Sequence, residues 1–148
     1  NGRSLCRWCN NEVPQARRSF CGQECVEQHK IRSDPGHARA RVRERDKGVC
    51  AVCRLDCERL ERLVVYCWFR KPRWQARFAR RWPFLVGRHG HRRSGPYWQA
   101  DHIKPVVEGG GGCGLDNLRT LCIACHQAAT RELLRRLKRK RSKQPELF

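Results

Sequence analysis

Eight of the eleven cysteines fall into four close pairs, and this spacing constrains the fold more than any other feature. The pairs are Cys6/Cys9, Cys21/Cys25, Cys50/Cys53 and Cys122/Cys125. In a chain with no recognisable secretory signal, such pairs are typical of zinc ligands rather than of disulfides. Two pairs together supply four thiolates for a tetrahedral Zn²⁺ shell, which adds folding free energy where a small core cannot. We therefore predict two structural Zn²⁺ ions.

The order of the pairs along the chain assigns the ligands. One ion would be held by Cys6, Cys9, Cys21 and Cys25, and the other by Cys50, Cys53, Cys122 and Cys125. A shell of four thiolates leaves no open position, so neither ion is expected to be catalytic.

Cys57 is an alternative ligand to Cys53, although burial as a small residue is its more ordinary interpretation. We expect Cys67 in the core and Cys113 as an exposed thiol. The other histidines, His29, His37, His89 and His91, are better explained as surface groups than as ligands.

The charge balance predicts a polyanionic partner. The 33 Lys and Arg residues face 14 Asp and Glu residues, which gives a formal net charge of +19. A folded domain of this charge repels itself, and nucleic acid is the partner that best relieves the repulsion. A membrane partner is disfavoured, because the longest apolar run, Leu63 to Phe69, is too short to span a bilayer. The chain has no Met and begins at Asn1, which suggests a fragment of a longer protein.

Periodicity and turn residues predict a small α+β, zinc-bound domain. We expect an N-terminal zinc module over residues 1–36 and a second domain over 37–148. Helices are predicted over 37–47, near 74–81, and from Cys125, where Ala129, Leu133 and Leu137 recur every four residues. Strands are predicted over Tyr97–Ile103 and Leu118–Leu121. The glycine run Gly109–Gly112 between the two strands is predicted to be a mobile loop.

An insertion at residues 58–96 has the composition of a nucleic-acid surface. No Asp or Glu occurs from Arg62 to Ala100, and nine Lys or Arg residues lie between Arg70 and Arg93. Aromatic side chains at Trp74, Phe78 and Trp82 recur every four residues. This spacing favours a place in the core, and stacking on unpaired bases is the alternative. With a second basic cluster near the C-terminus, the predicted DNA-binding residues are Arg70, Lys71, Arg73, Arg77, Arg80, Arg81, Arg135, Arg136, Lys138 and Arg139.

The segment from Asp101 to His126 carries the residues that phosphodiester hydrolysis requires. Such a reaction needs a base for water, a hard cation to neutralise charge on phosphate, and fixed geometry. His102 can supply the base, and one carboxylate with one imidazole leaves most of a Mg²⁺ or Mn²⁺ shell open. Neighbouring strand residues face opposite ways, so Asp101 and His102 serve one site only if the strand bends or ends there.

This segment resembles the HNH (ββα-metal) endonuclease family. The resemblance rests on D-H-I-x-P from Asp101, the glycine-rich loop, N-L at Asn117, and L-C-x-x-C-H ending at His126. It implies a hairpin packed on a helix, with His102 as general base and Asp101 and His126 as ligands of the catalytic metal. Asn117 would orient the hairpin and the base, or join the metal shell. The expected products carry 5′-phosphate and 3′-hydroxyl ends.

The wider arrangement of cysteines is similar to the C-terminal nuclease domain of vertebrate strand-annealing helicases with RAN-binding-type zinc fingers. This resemblance implies a nuclear enzyme that works beside an ATP-driven translocase, cuts branched or partly single-stranded DNA, and serves repair at stalled replication forks. Two alternatives stay open. One is a non-catalytic zinc module that binds DNA or tethers a partner. The other is a microbial restriction-type or homing-type HNH enzyme.

Overall fold

A computed structural model describes residues 2–70, 72–81, 83 and 96–143, without the side chains of residues 72, 78 and 143. The fold is α+β, as the sequence predicts, with a two-stranded sheet and five α-helices in the described ranges. The helices are α1 (Gln23–Ser33), α2 (Pro35–Asp46), α3 (Cys57–Arg70), α4 (Gln75–Arg81) and α5 (Ile123–Lys143). The strands are β1 (Trp98–His102) and β2 (Leu118–Cys122). No described helix is long and apolar enough to cross a membrane.

The chain forms two compact units. The first contains residues 1–47 and 102–119, and the second contains residues 48–101 and 120–148. Each has a small core of its own. The first unit buries Cys6, Val13, Ile31, Ala38, Val42 and Leu118, and the second buries Cys50, Cys57, Val64, Tyr97, Trp98, Leu121, Cys122 and Ile123. Cores of this size give marginal stability, so metal ligation is an expected supplement.

In the first unit, α1 and α2 pack together through a charged contact. Glu27 on α1 forms ion pairs with His37 at 3.0 Å and with Arg41 at 2.6 Å, both on α2. The start of α2 is fixed by Asp34, whose Oδ1 accepts hydrogen bonds from the backbone N–H groups of Gly36 and His37. This N-cap, followed directly by Pro35, is a strong helix-start signal.

The elements near the predicted site agree with the sequence analysis, with small shifts at their ends. Both predicted strands are present, and β1 ends at His102, as two neighbouring site residues would require. Helix α5 begins at Ile123 rather than at Cys125, so Cys125 and His126 lie in its first turn. Ala129, Leu133 and Leu137 are each partly buried, which confirms the apolar stripe.

Several side chains lie in positions that differ from those predicted from the sequence. Trp74 is 48% exposed, so its predicted place in the core is wrong. The ring instead lies beside the guanidinium of Arg77, 5.6 Å from the ring centroid. Cys67 and Cys113 are both partly buried, between the core and surface positions expected for them. Lys71, Trp82, His89, His91 and the side chain of Phe78 lie outside the described residues.

In the glycine loop, which the sequence predicts to be mobile, hydrogen bonds hold the backbone at Gly109 and Gly110. Gly110 is buried, its N–H donates to the Pro105 carbonyl at 3.0 Å, and its carbonyl accepts from Asn117 Nδ2 at 3.0 Å. A Cβ at this position would lie 1.8 Å from the Lys104 carbonyl oxygen. Gly110 therefore permits a close backbone approach that no other residue allows.

We predict that Gly110→Ala lowers the free energy of unfolding by about 1–3 kcal/mol or more, because the loop backbone must move away from Lys104. Thermal denaturation of the zinc-loaded chain measures the effect. Gly22→Ala is the matched control, since its Cβ would meet nothing within 4 Å. Equal melting temperatures for the two variants would contradict this account of the loop.

Candidate functional site

Two cysteine loops of nearly identical geometry begin the two groups of four cysteines. In the first, the Cys6 N–H donates to the Asn11 carbonyl at 2.8 Å and the Asn10 N–H to the Cys6 carbonyl at 3.0 Å. In the second, the Cys50 N–H donates to the Leu55 carbonyl at 2.9 Å and the Arg54 N–H to the Cys50 carbonyl at 3.0 Å. The fifth residue of each loop has a positive φ, 60° at Asn10 and 63° at Arg54. Each loop is closed by an antiparallel bridge, between residues 5 and 12 and between residues 49 and 56.

The second cysteine pair of each group lies at the start of a helix, with one cysteine just before the helix and the other in its first turn. Cys25 lies in the first turn of α1, and Cys125 lies in the first turn of α5. The partial positive charge at a helix N-terminus favours a thiolate there. In the second unit, the loop is joined to β2 by a hydrogen bond from the Ala51 N–H to the Thr120 carbonyl at 2.8 Å. This bond aligns residues that are far apart in sequence.

The sulfur positions fit zinc. In each group of four cysteines, all ligand atoms lie within 4.8 Å of one another. The Cys9–Cys21, Cys21–Cys25 and Cys9–Cys25 sulfur distances are 3.4, 3.4 and 3.8 Å, and Cys53–Cys122 is 3.7 Å. Zn–S bonds of about 2.3 Å in a tetrahedron separate the sulfurs by about 3.8 Å. Both groups could therefore hold zinc with little rearrangement.

The pKa values of the cysteines show how each loop prepares a ligand. Burial raises the pKa of Cys50, but backbone N–H groups of Cys122, Cys53 and Val52 point at the sulfur and lower the pKa to about 6. Burial also raises the pKa of Cys6, and the N–H groups of Cys9, Cys21 and Trp8 lower it to about 6. Burial and neighbouring sulfurs raise the pKa of Cys125, because crowded thiols resist ionisation. A bound cation would offset that crowding.

Cys57 lies outside the second group of cysteines. Its side chain is fully buried, and its sulfur is 3.5 Å from the Leu55 carbonyl oxygen. Burial, together with the charges of Cys122, Cys50 and Cys53, raises the pKa of Cys57 to about 12. A protonated, buried thiol agrees with the interpretation of Cys57 as a small core residue.

The second unit also brings two of the predicted catalytic residues together. Asp101 Oδ1 on β1 lies 3.7 Å from His126 Nε2 on α5. This distance exceeds the length of a charge-assisted hydrogen bond, about 2.7–2.9 Å. Adjacent ligand atoms on one octahedral cation, with bonds of about 2.0–2.1 Å, are about 3 Å apart, and opposite ones are about 4 Å apart. The observed 3.7 Å lies between these values, so the oxygen and nitrogen donors could close around a hard divalent cation such as Mg²⁺ or Mn²⁺ with a small shift.

The other two predicted site residues, His102 and Asn117, belong to the first unit. His102 is partly buried at the end of β1. Asn117 holds the loop that follows it: Oδ1 accepts from the Lys104 N–H at 2.8 Å, and Nδ2 donates to the carbonyls of Lys104 and Gly110 at 3.1 and 3.0 Å. These three bonds fit the positioning role suggested for Asn117 better than a place in a metal shell.

Sequence reasoning missed Arg45, which also supports this loop region. Its guanidinium on α2 donates to the Leu115 carbonyl at 2.6 Å and to the Leu118 carbonyl at 2.7 Å, and it pairs with Asp46. These contacts join residues about seventy positions apart, and one arginine among 33 basic residues carries no local signal.

The described residues of the predicted DNA-binding set are all exposed: Arg70, Arg73, Arg77, Arg80, Arg81, Arg135, Arg136, Lys138 and Arg139.

Comparison with known proteins identifies the class of this site. Residues 87–132, which include all four predicted catalytic residues, match the model of the HNH endonuclease family. The chain therefore contains an HNH domain. It is 34% identical over 87% of its length to the human "DNA annealing helicase and endonuclease ZRANB3", and 36% identical over 92% to the mouse protein.

The chain spans only 13% of the human and 14% of the mouse relative. It is thus homologous to one domain of a larger protein. The crystal structure of the human ZRANB3 HNH domain matches 70% of this chain and 97% of that chain, with 32% identity and a TM-score of 0.47.

We predict that the purified chain binds two zinc ions, that Cys53→Ser binds one, and that Cys57→Ser binds two. A thiol that stays protonated cannot replace a lost thiolate ligand. A colorimetric metal-release assay counts the ions. One zinc in Cys57→Ser together with two in Cys53→Ser would show that Cys57 is the ligand.

We also predict that the second site releases zinc on acidification. The folded-state pKa of Cys50 lies below the ordinary value of 9.0, so its thiolate contributes fully above about pH 9 and is lost as the pH falls through about 6. Protons then compete with zinc for the sulfur. Zinc content measured after equilibration over this range tests the direction. Tighter zinc binding at acidic pH would contradict it.

Proposed function

We propose that this chain is a metal-dependent DNA endonuclease domain that cuts branched or partly single-stranded DNA. The close approach of Asp101 and His126 is the observation that carries the proposal, because two hard donors at this spacing suit a catalytic cation. The HNH domain supports the same reaction. The positive charge of the chain suits a DNA substrate.

In this proposal, Asp101 and His126 hold Mg²⁺ or Mn²⁺, and the bound cation supplies charge neutralisation at the phosphate and the leaving oxygen. His102 accepts the proton of the attacking water as the P–O bond forms. The bond to the 3′ oxygen breaks and that oxygen takes a proton from solvent, which leaves 5′-phosphate and 3′-hydroxyl ends. Asn117 positions the reaction indirectly, because its three hydrogen bonds fix the backbone just after His102. The eight paired cysteines hold two structural Zn²⁺ ions, and the exposed arginines and lysines named above contact DNA phosphates.

The names of the relatives support DNA as the substrate. Their name states DNA annealing helicase and endonuclease activity. Because the chain covers a small part of those proteins, we propose that it works within a longer, nuclear protein with an ATP-driven translocase. We further propose an N-terminal zinc module over residues 1–36 and a nuclease domain over 37–148, with the basic insertion at 58–96. No base-reading pattern is visible, so selectivity would follow DNA structure rather than sequence.

The direct test compares the native chain with His102→Ala on labelled splayed-arm, flap and plain duplex DNA in Mg²⁺ or Mn²⁺. Loss of a general base is expected to lower the cleavage rate by about 10²–10⁴-fold. Unchanged DNA affinity and zinc content in His102→Ala would show that the loss is chemical. We expect faster cleavage of the splayed-arm and flap substrates than of the duplex.

Equal cleavage by the native chain and His102→Ala would contradict the role given to His102. If neither cuts and both bind DNA alike, the chain is acting as a zinc-dependent binding module. Cleavage at one fixed sequence in plain duplex DNA would instead favour the restriction-type alternative.

A further inference from the structure

Helix α3 exposes a face on which arginines alternate with apolar and aromatic side chains. Successive exposed positions follow the three- and four-residue steps of one helical face: Arg59, Arg62, Leu63, Tyr66, Phe69 and Arg70. Leu63 is 54% exposed, Tyr66 59% and Phe69 70%. Large apolar side chains grouped at this exposure commonly mark a binding surface. We refer to these six residues as the α3 face.

The acidic residues of α3 are less accessible than its arginines. Glu58 and Glu61 are partly buried, whereas Arg59, Arg62 and Arg70 are exposed. The α3 face has three arginines and no carboxylate. Among the residues that the structure describes, no ion pair joins Arg59, Arg62 or Arg70 to an acidic group. The three guanidinium groups are thus available to an external anion.

The same chemistry continues beyond the end of α3. A hydrogen bond from Gln75 Nε2 to the Trp68 carbonyl at 3.0 Å holds the start of α4 against α3. Arg73, Trp74 and Arg77 are exposed in this segment, and the Arg77 guanidinium lies 5.6 Å from the centroid of the Trp74 ring. Exposed rings interleaved with arginines therefore extend over both helices.

We propose that the α3 face binds unpaired nucleotides of single-stranded DNA, with bases stacked on Tyr66 and Phe69 and phosphates held by Arg59, Arg62 and Arg70. The choice of DNA rests on the proposed function. Phosphate neutralisation alone would need only the arginines and would serve any duplex. Exposed rings add a contact that a paired base cannot make, because its faces are already stacked within the duplex. A protein partner would meet three clustered positive charges around the apolar residues, which makes a polyanion the better match.

This surface would explain how a nuclease domain without a base-reading pattern selects its substrate. A single-stranded arm on the α3 face would retain a fork or flap more strongly than a continuous duplex. The inference concerns binding alone. It can therefore hold or fail independently of the cleavage reaction.

The test measures the affinity of the zinc-loaded chain, in the His102→Ala background, for a labelled oligothymidylate and for a blunt duplex of equal length. Fluorescence anisotropy gives both dissociation constants without cleavage. We expect Tyr66→Ala and Phe69→Ala each to weaken oligothymidylate binding by about 5- to 100-fold, the range expected for loss of one stacked base. Duplex affinity should stay nearly unchanged, and Tyr66→Phe should retain binding because the ring remains.

Leu5→Ala is the matched control, since Leu5 is also 59% exposed but lies on the first cysteine loop. It should change neither affinity. Oligothymidylate binding that survives both alanine substitutions would overturn the proposal, as would an equal loss on oligothymidylate and duplex. Ultraviolet crosslinking of oligothymidylate to the chain provides a readout without the alanine variants. Adducts at Tyr66 or Phe69 support the proposal, and adducts confined to other peptides overturn it.

Discussion

Two groups of four cysteines that could hold zinc are the constraint on which the rest of the structure depends. Each compact unit buries only a few apolar side chains, and one cysteine of each group, Cys6 or Cys50, is fully buried among them. Backbone N–H groups lower the pKa values of Cys6 and Cys50 to about 6. Some of these N–H groups belong to the loop that carries the sulfur, and one in each group belongs to the second cysteine pair. The folding of the chain around the sulfurs and the preparation of the thiolates are therefore the same event.

Zinc in the second group of cysteines would also govern the geometry of the proposed catalytic site. His126 follows the ligand Cys125 directly in the first turn of α5, so metal ligation would fix both the start of the helix and the position of this imidazole. Asp101 approaches it from β1. The two kinds of site remain chemically distinct: four soft thiolates favour zinc, whereas one carboxylate and one imidazole leave positions for water and phosphate on a hard cation.

The features that sequence could predict are those whose signal lies within a few residues. The cysteine pairs, the strands around Asp101 and Leu118, and the proximity of Asp101 to His126 follow from short motifs. Glycines indicate chain freedom as readily as close packing, and at Gly110 the nearby Lys104 carbonyl oxygen shows a close backbone approach that the sequence does not signal. Arg45 was missed because its acceptors are distant in sequence.

The aromatic residues of the basic insertion were expected in the core, yet Trp74, like Tyr66 and Phe69 on the preceding helix, is largely exposed. Periodicity identifies one face of a helix but not the medium it contacts.

Anomalous diffraction from crystals of the zinc-containing chain soaked in Mn²⁺ tests the central claim most directly. Data collected at the zinc and manganese edges distinguish the two metals. The account predicts zinc at both groups of four cysteines and manganese bound by Asp101 Oδ1 and His126 Nε2. Manganese in the cysteine sites, or zinc held by Cys57 in place of Cys53, would contradict the ligand assignment. A chain that cleaves DNA in Mn²⁺ but binds the ion away from Asp101 and His126 would contradict the proposed catalytic site.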